Sequence, residues 1–264
     1  MNTSTMLQKK ISGLADQYKS ELLENVIPFW ERYSVDKEYG GYFTCLDRDG
    51  RVFDTDKFVW LQCRQVWTFA KFYNDISRNS AWLKIALDGA EFLKRHGRDK
   101  SGNWYFSLTR EGKPLIQPYN IFSDCFASMA FAQLYKATEE KEYNTIARET
   151  FQNILRRKDN PKGIYSKAYP GTRPLQSFAL PMILCNLVKE LEPVLDPQQV
   201  SETINYGINS VMNLFYRPEW GTIAEHVTPE GDFSDSFEGR LLNPGHVLEA
   251  MWFIIDLADR KSVV

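Results

Sequence analysis

Four loop segments with a shared signature recur at nearly constant spacing. That periodicity narrows the folds open to this chain more than any other feature. The first reads Asp36-Lys-Glu-Tyr-Gly-Gly41-Tyr-Phe, followed by Asp47-Arg-Asp-Gly50. The second reads Asp99-Lys-Ser-Gly102-Asn-Trp-Tyr-Phe, followed by Thr109-Arg-Glu-Gly112. The third, Asp159-Asn-Pro-Lys-Gly163-Ile-Tyr, is degenerate. The fourth is Arg217-Pro-Glu-Trp-Gly221-Thr-Ile, followed by Thr228-Pro-Glu-Gly231. The anchor glycines 41, 102, 163 and 221 lie 61, 61 and 58 residues apart. Glycine at the turn and aromatic or β-branched residues around it predict short hairpins.

Between these loops the apolar residues recur with a helical period. Val59, Trp60, Cys63, Val66, Trp67 and Ala70 mark a helix over Phe58 to Tyr73. Ala81 to Arg95 follows, with Asn79-Ser80 as its N-terminal cap. Ile121 to Ala137 with Tyr143 to Leu155, and Leu175 to Leu191 with Val200 to Phe215, make two further pairs. Met6 to Tyr33 precedes the first loop, with a break expected near Pro28. Pro244 to Asp259 is the last helix, capped by Asn243 with proline in its first turn.

Helix, loop, helix, repeated in this way, predicts an all-α toroid of helical hairpins with short β-hairpin loops. It argues against an α/β fold. We read residues 1–264 as one domain. A toroid closed by six helix pairs needs roughly 360 residues at this repeat length. This chain supplies about four pairs, so the expectation is a truncated arc with apolar helix faces exposed, prone to pair as a homodimer.

The chain carries a net charge of −2 and a pI of about 6.0. A nucleic-acid or anionic-membrane partner calls for a basic face, so neither is expected. No apolar run is long enough to span a membrane, and Met1 to Lys10 lacks a signal-peptide core. The expected location is cytoplasmic. Cys45, Cys63, Cys125 and Cys185 form no CxxC pair and read as reduced thiols, three of them within apolar helical patterns. No metal site is expected.

Two segments concentrate polar chemistry. In Trp60-Leu-Gln-Cys-Arg64-Gln-Val-Trp67, Trp60, Arg64 and Trp67 share one helix face, which suits a guanidinium on a sugar hydroxyl or oxyanion over an aromatic floor. The bland alternative is a buried ion pair for Arg64. In Asn243-Pro-Gly-His246-Val-Leu-Glu249, His246 lies in the first helical turn, where the helix dipole favours the neutral imidazole a general base requires. Glu249, three residues on, is placed to orient or tune that ring. His226, in the fourth loop, is a candidate substrate contact, whereas His96 reads as a structural helix-end residue. Asp124 together with Glu249 keeps a two-carboxylate glycosidase open. No GxSxG, Walker loop, GxGxxG or HExxH occurs.

Gly40-Gly-Tyr-Phe-Thr-Cys-Leu-Asp-Arg-Asp-Gly-Arg51, Trp60 to Trp67, Ile121-Phe-Ser-Asp-Cys-Phe126 and Asn243 to Phe253 resemble, in order, motifs of the N-acylglucosamine 2-epimerase family. The resemblance covers the N-terminal two-thirds of such enzymes. It implies an (α/α)6 barrel that interconverts N-acetylglucosamine and N-acetylmannosamine by removing and returning the C2 proton. It implies His246 as one acid/base histidine, Glu249 as its helper and Arg64 near C1–C2 of the sugar. Trp60, Trp67, Asp124, His226 and Asn243 complete the expected substrate-binding set. The family's second catalytic histidine lies in a later helix pair, so the expected outcomes are an active epimerase or an inactive sugar-binding remnant. Cellobiose 2-epimerases and aldose–ketose isomerases carry an additional histidine on the helix that here reads Ser177 to Ile183, which lacks one. No cofactor is required. ATP, a non-consumed activator of some members, is allowed by the resemblance, although no phosphate loop is visible.

Overall fold

The computed structural model describes residues 3–169 and 171–262. Helix α1 (Thr3–Glu21) runs through a π-helical turn (Leu22–Val26) into α2 (Ile27–Tyr33). The expected break near Pro28 is thus a widened turn. Pro28 has no N–H for the Glu24 carbonyl, and the Ile27 N–H reaches back to the Leu22 carbonyl instead. Then follow α3 (Val59–Asp75), α4 (Ser80–His96), α5 (Phe122–Thr138) and α6 (Lys141–Arg157). After these come α7 (Ala179–Glu190), α8 (Pro197–Asn209) and α9 (Pro244–Ser262). Asn79 caps α4 by accepting the Ala81 N–H at 2.9 Å, as its sequence position predicts. Asp196 caps α8 in the same way, with proline at the first helical position, so that helix starts earlier than its apolar pattern does.

The helices form two layers. Inner helix α3 packs on α5, α5 on α7 and α7 on α9. Outer helices α4, α6 and α8 back α3, α5 and α7. With α1–α2 leading into α3, the described residues supply four outer–inner pairs arranged as an open arc. α5 is the most enclosed helix: eleven of its residues, Leu134 among them, are buried between α3, α6 and α7. The arc leaves apolar stripes uncovered, as its expected openness implies. Leu7, Ile11, Leu14 and Tyr18 are exposed on α1, and Leu248, Trp252 and Ile255 on α9.

All the long loops fall at the N-terminal ends of the inner helices. The anchor glycines 41, 102, 163 and 221 take φ between +52° and +83°, which only glycine adopts without strain. Three of these loops close with a small antiparallel bridge: Val35 with Tyr42, Arg98 with Trp104, and β7 (Tyr216–Arg217) with β8 (Thr222–Ile223). The degenerate third loop forms a 3-10 turn at Gly163–Tyr165. A second hairpin, β1 (Cys45–Leu46) with β2 (Val52–Asp54), turns at Gly50.

Other strands tie one repeat to the next. β3 (Lys57–Phe58) leads into α3 and pairs with β4 (Ser107–Leu108), which pairs with β5 (Pro114–Ile116). β6 (Gln176–Ser177) leads into α7 and pairs with β9 (His226–Val227). That pairing is why α7 starts at Ala179 rather than Leu175: residues 176 and 177 are extended by their partners in β9. A buried ion pair pins the first two loops together. The Lys57 ammonium, fully buried, donates to Asp36 at 3.0 Å and to the carbonyls of Gly40 and Arg110 at 2.6 and 2.8 Å. Burial pushes the Asp36 carboxyl up. Hydrogen bonds from Arg110, Lys57 and the Glu38 and Tyr39 amides overcome this and hold it down at about 2.

Candidate active site

The first two turns of the four inner helices converge on one concavity of about 360 Å³. α3 contributes Trp60 and Arg64, α5 contributes Phe122 and Phe126, and α9 contributes His246 and Glu249. Ala179, Met182 and Ile183 of α7 form an apolar wall. Each reaches the same opening because the β3–β4 and β6–β9 pairings bring successive inner-helix N-termini together.

The Arg64 guanidinium stands 5.0 Å from the centre of the Phe126 ring and 5.8 Å from that of Trp60. Among the described residues no carboxylate lies within ion-pair distance of it. The alternative of a buried ion pair for Arg64 is therefore not what the fold builds. Aromatic faces position the cation and leave its N–H edges for a ligand.

His246 is placed from two directions. Asn243 caps α9, its side-chain oxygen accepting the Gly245 and His246 amides at 3.1 and 3.3 Å. The ring is then fixed by Glu225, whose two carboxylate oxygens each lie 3.0 Å from Nδ1. Glu225 is 5% exposed, and its own carbonyl accepts the Phe178 amide at the start of α7. A carboxylate only accepts, so Nδ1 carries the proton and Nε2 of the neutral ring is left with its lone pair. This carboxylate–imidazole pair is the chemical core of a general base.

The sequence model of the family described as N-acylglucosamine 2-epimerase (GlcNAc 2-epimerase) matches residues 41–263. The chain belongs to that family. It is 34% identical over 262 residues to the N-acylglucosamine 2-epimerase of Bos taurus, covering 97% of this chain and 62% of that relative. It is 36% identical over 247 residues to that of Mus musculus, covering 91% of this chain and 59% of that relative. The chain thus spans about six-tenths of the length of these curated relatives. The solved cellobiose 2-epimerase of Bacillus thermoamylovorans superposes with a TM-score of 0.78 at 19% identity, over 93% of this chain and 66% of that one. That likeness establishes the helical-toroid fold of this family member.

Of the residues singled out in the sequence, Trp60, Arg64, His246 and Glu249 come together. Glu249 is exposed in the concavity and holds no hydrogen bond or ion pair among the described residues. The carboxylate in contact with the His246 ring is that of Glu225. Trp67 is not with Trp60. Seven residues on is roughly 10 Å further along the helix. There its indole N–H donates to Glu190 at 2.8 Å, beside Gln133, which donates to the same oxygen at 2.7 Å.

Asp124 also turns away from the concavity. It faces α6, accepting from Asn153 and Arg157, each at 3.1 Å, and burial pushes its carboxyl up to about 6 against both partners. The pairing of Asp124 with Glu249 that a two-carboxylate glycosidase would use is therefore not built. Asn243 acts as the helix cap described above. His226 lies on β9 in an adjoining recess that shares Asn120, Phe122 and Ala179 with the main concavity, and its buried Nδ1 finds no protein partner. His96 ends α4 and packs on Phe92, as a structural residue does.

Glu225 is the residue the sequence reading missed. It lies 21 positions from His246 and meets it only because β9 pairs with β6. Its one signal in the sequence is an acidic residue beside His226 in a loop that rims the inner-helix N-termini.

Proposed function

We propose that this chain carries the C2 proton-transfer site of an enzyme that interconverts N-acetylglucosamine and N-acetylmannosamine. The observation that carries this reading is the Glu225–His246 pair facing an unpaired Arg64 across an aromatic-lined concavity. The C2 proton of such a sugar becomes acidic only in the open-chain form, next to the C1 aldehyde. His246 Nε2 removes it, and Glu225 stabilises the imidazolium that results. Arg64 supplies hydrogen bonds to the oxygen at C1 as negative charge develops there. Trp60 and Phe126 keep water from that oxygen and offer flat faces to sugar C–H groups. The apolar wall of Met182 and Ile183 suits the methyl group of an N-acetyl substituent. That wall contains no histidine, which separates this site from the cellobiose-epimerase pattern described above.

Inversion requires a second group on the opposite face of C2. Of the three histidines only His246 lines the concavity, and Glu249 rises from the same helix face. Among the described residues of the concavity, His246 and Glu249 thus rise from one helix, and no second histidine stands opposite them. We assign the chain to the cytoplasm, a reading supported by four cysteines that are all unpaired. Among the described residues no helix is long and apolar enough to cross a membrane.

The test is incubation with N-acetylmannosamine in D₂O, followed by proton NMR at C2. Loss of the C2 proton signal above the uncatalysed rate is the expected result. Absence of exchange in every assembly state of the chain refutes the proposal. The ratio of N-acetylglucosamine formed to deuterium incorporated reads inversion separately from deprotonation.

A further inference from the structure

Asn120 stands where the His246 concavity adjoins the recess of His226, and it lines both. It lies just before α5, whose first residue, Phe122, borders the same two spaces. The Asn120 side-chain oxygen accepts the Phe122 amide at 2.9 Å. A backbone N–H needs an acceptor, so the oxygen is the end held against the backbone and the NH₂ is the end left over. Among the described residues that NH₂ has no partner.

The segment that carries Asn120 is clasped by one side chain. Arg157, at the end of α6, donates to the Pro118 carbonyl at 3.3 Å and to the Asp124 carboxylate at 3.1 Å, so it grips the chain on both sides of Asn120. The same guanidinium donates at 3.0 Å to the carbonyl of Pro161, which lines the recess from the third loop. Asp124 is fully buried and Arg157 nearly so, which shields the clasp from water. A donor fixed in this way loses little freedom when it meets a ligand.

We infer that Asn120 is a specificity-determining residue, whose NH₂ donates to the carbonyl oxygen of the substrate's N-acetyl group. This inference rests on the proposed C2 proton-transfer site. An acetamido group presents a methyl, an N–H and a carbonyl oxygen that only accepts. The side chains of the concavity that can donate are Trp60, Arg64, Asn120 and His246. The Nδ1 proton of His246 is held by Glu225, and Arg64 meets the oxygen at C1. Trp60 rises from α3, which α5 separates from α7 and its apolar wall of Met182 and Ile183. Asn120 opens α5 on the side of α7, with Ala179 beside it in both spaces. It is therefore the donor placed to reach the carbonyl while the methyl lies on the α7 wall. A sugar with a hydroxyl at C2 has no such carbonyl and leaves the NH₂ unpaired, which is how a polar contact discriminates.

The experiment is ¹⁵N NMR titration of the whole chain with N-acetylglucosamine and, separately, with glucose. The side-chain NH₂ signal of Asn120 is identified by its loss in Asn120→Asp. That variant keeps an oxygen for the Phe122 amide and removes only the donor. N-acetylglucosamine is expected to shift the NH₂ signal, and glucose to leave it in place. Asn120→Asp is expected to weaken N-acetylglucosamine binding by about tenfold with an unchanged melting transition. If Asn120→Asp melts early, Asn120→Ser, which also caps a helix, is expected to show the same loss of affinity. An NH₂ signal that does not move at saturating N-acetylglucosamine, or affinity within about twofold of the parent in the folded variant, overturns the inference. When the parent still exchanges the C2 proton, either result removes Asn120 alone. Absence of N-acetylglucosamine binding removes Asn120 together with the site around His246.

Discussion

Replacing Glu225 by Gln removes one negative charge from the His246 Nδ1 hydrogen bond while keeping the side chain's volume. In the parent chain both carboxylate oxygens lie 3.0 Å from Nδ1, and the residue is only 5% exposed, so water does little to screen the contact. A hydrogen bond to a charged group contributes about 1.5–3 kcal/mol. In the proposed C2 deprotonation the ring becomes positive, and the carboxylate stabilises that charge more than the neutral ring. At about 1.4 kcal/mol per decade of rate, the loss corresponds to roughly 10- to 100-fold slower exchange. Gln also offers an NH₂ group to Nδ1, which would move the ring proton to Nε2 and block it as a base.

Two measurements check this reasoning. The first is the C2 exchange rate in D₂O for parent and variant, with thermal melting as a control for folding. The second is the ¹⁵N NMR signature of the His246 tautomer, which does not depend on turnover. The parent's neutral ring is expected to be protonated on Nδ1. If it is protonated on Nε2, or if Glu225→Gln exchanges within twofold of the parent, the assignment of Glu225 as the positioning residue is wrong.

Four other outcomes follow from the same structure. His246→Ala should abolish C2 exchange while leaving the melting transition in place, and Arg64→Lys should slow it severely because an ammonium lacks the planar fork; near-parental exchange in both would remove the site assignment. Asp36→Asn leaves the Lys57 ammonium buried and uncompensated, and urea unfolding should show a loss of about 3–5 kcal/mol, part of which Lys57→Met in the same chain should restore. His96 has its imidazolium disfavoured by burial first and by Arg95 and Lys57 next, so its folded-state pKa lies below the unfolded one. Its contribution is therefore complete above the unfolded value of about 6.5 and is lost as pH falls through the folded value; His96→Gln should flatten that part of the stability profile. Gly112→Ala would place a Cβ 2.4 Å from the His96 ring at a φ of +91°, and should lower the melting temperature measurably.

Much of the architecture is legible in the chain's own periodicity. Glycines 41, 102, 163 and 221 mark the loops because a left-handed φ is a local demand that glycine meets without strain. The helices between them follow from apolar spacing, and the caps at Asn79 and Asn243 from side chains that bond their own backbone two or three residues on. His246 at the start of a helix, with Arg64 on an aromatic helix face, is likewise a local pattern.

What tertiary structure decided is depth and partnership. A helical period says which side chains share a face but not how far along the helix a cavity extends, so Trp60 lines the concavity while Trp67 anchors Glu190 beneath it. The same period does not say whether a polar residue on an enclosed helix looks inward or toward its outer partner, and Asp124 looks toward α6. Glu225 is the clearest case. Nothing within reach of its own backbone calls for a carboxylate there. Its role arises from the pairing of β6 with β9, which carries it across 21 residues of chain to His246. Local conformational preference is encoded over a few residues, whereas the contact of Glu225 with His246 exists only once β9 has paired with β6.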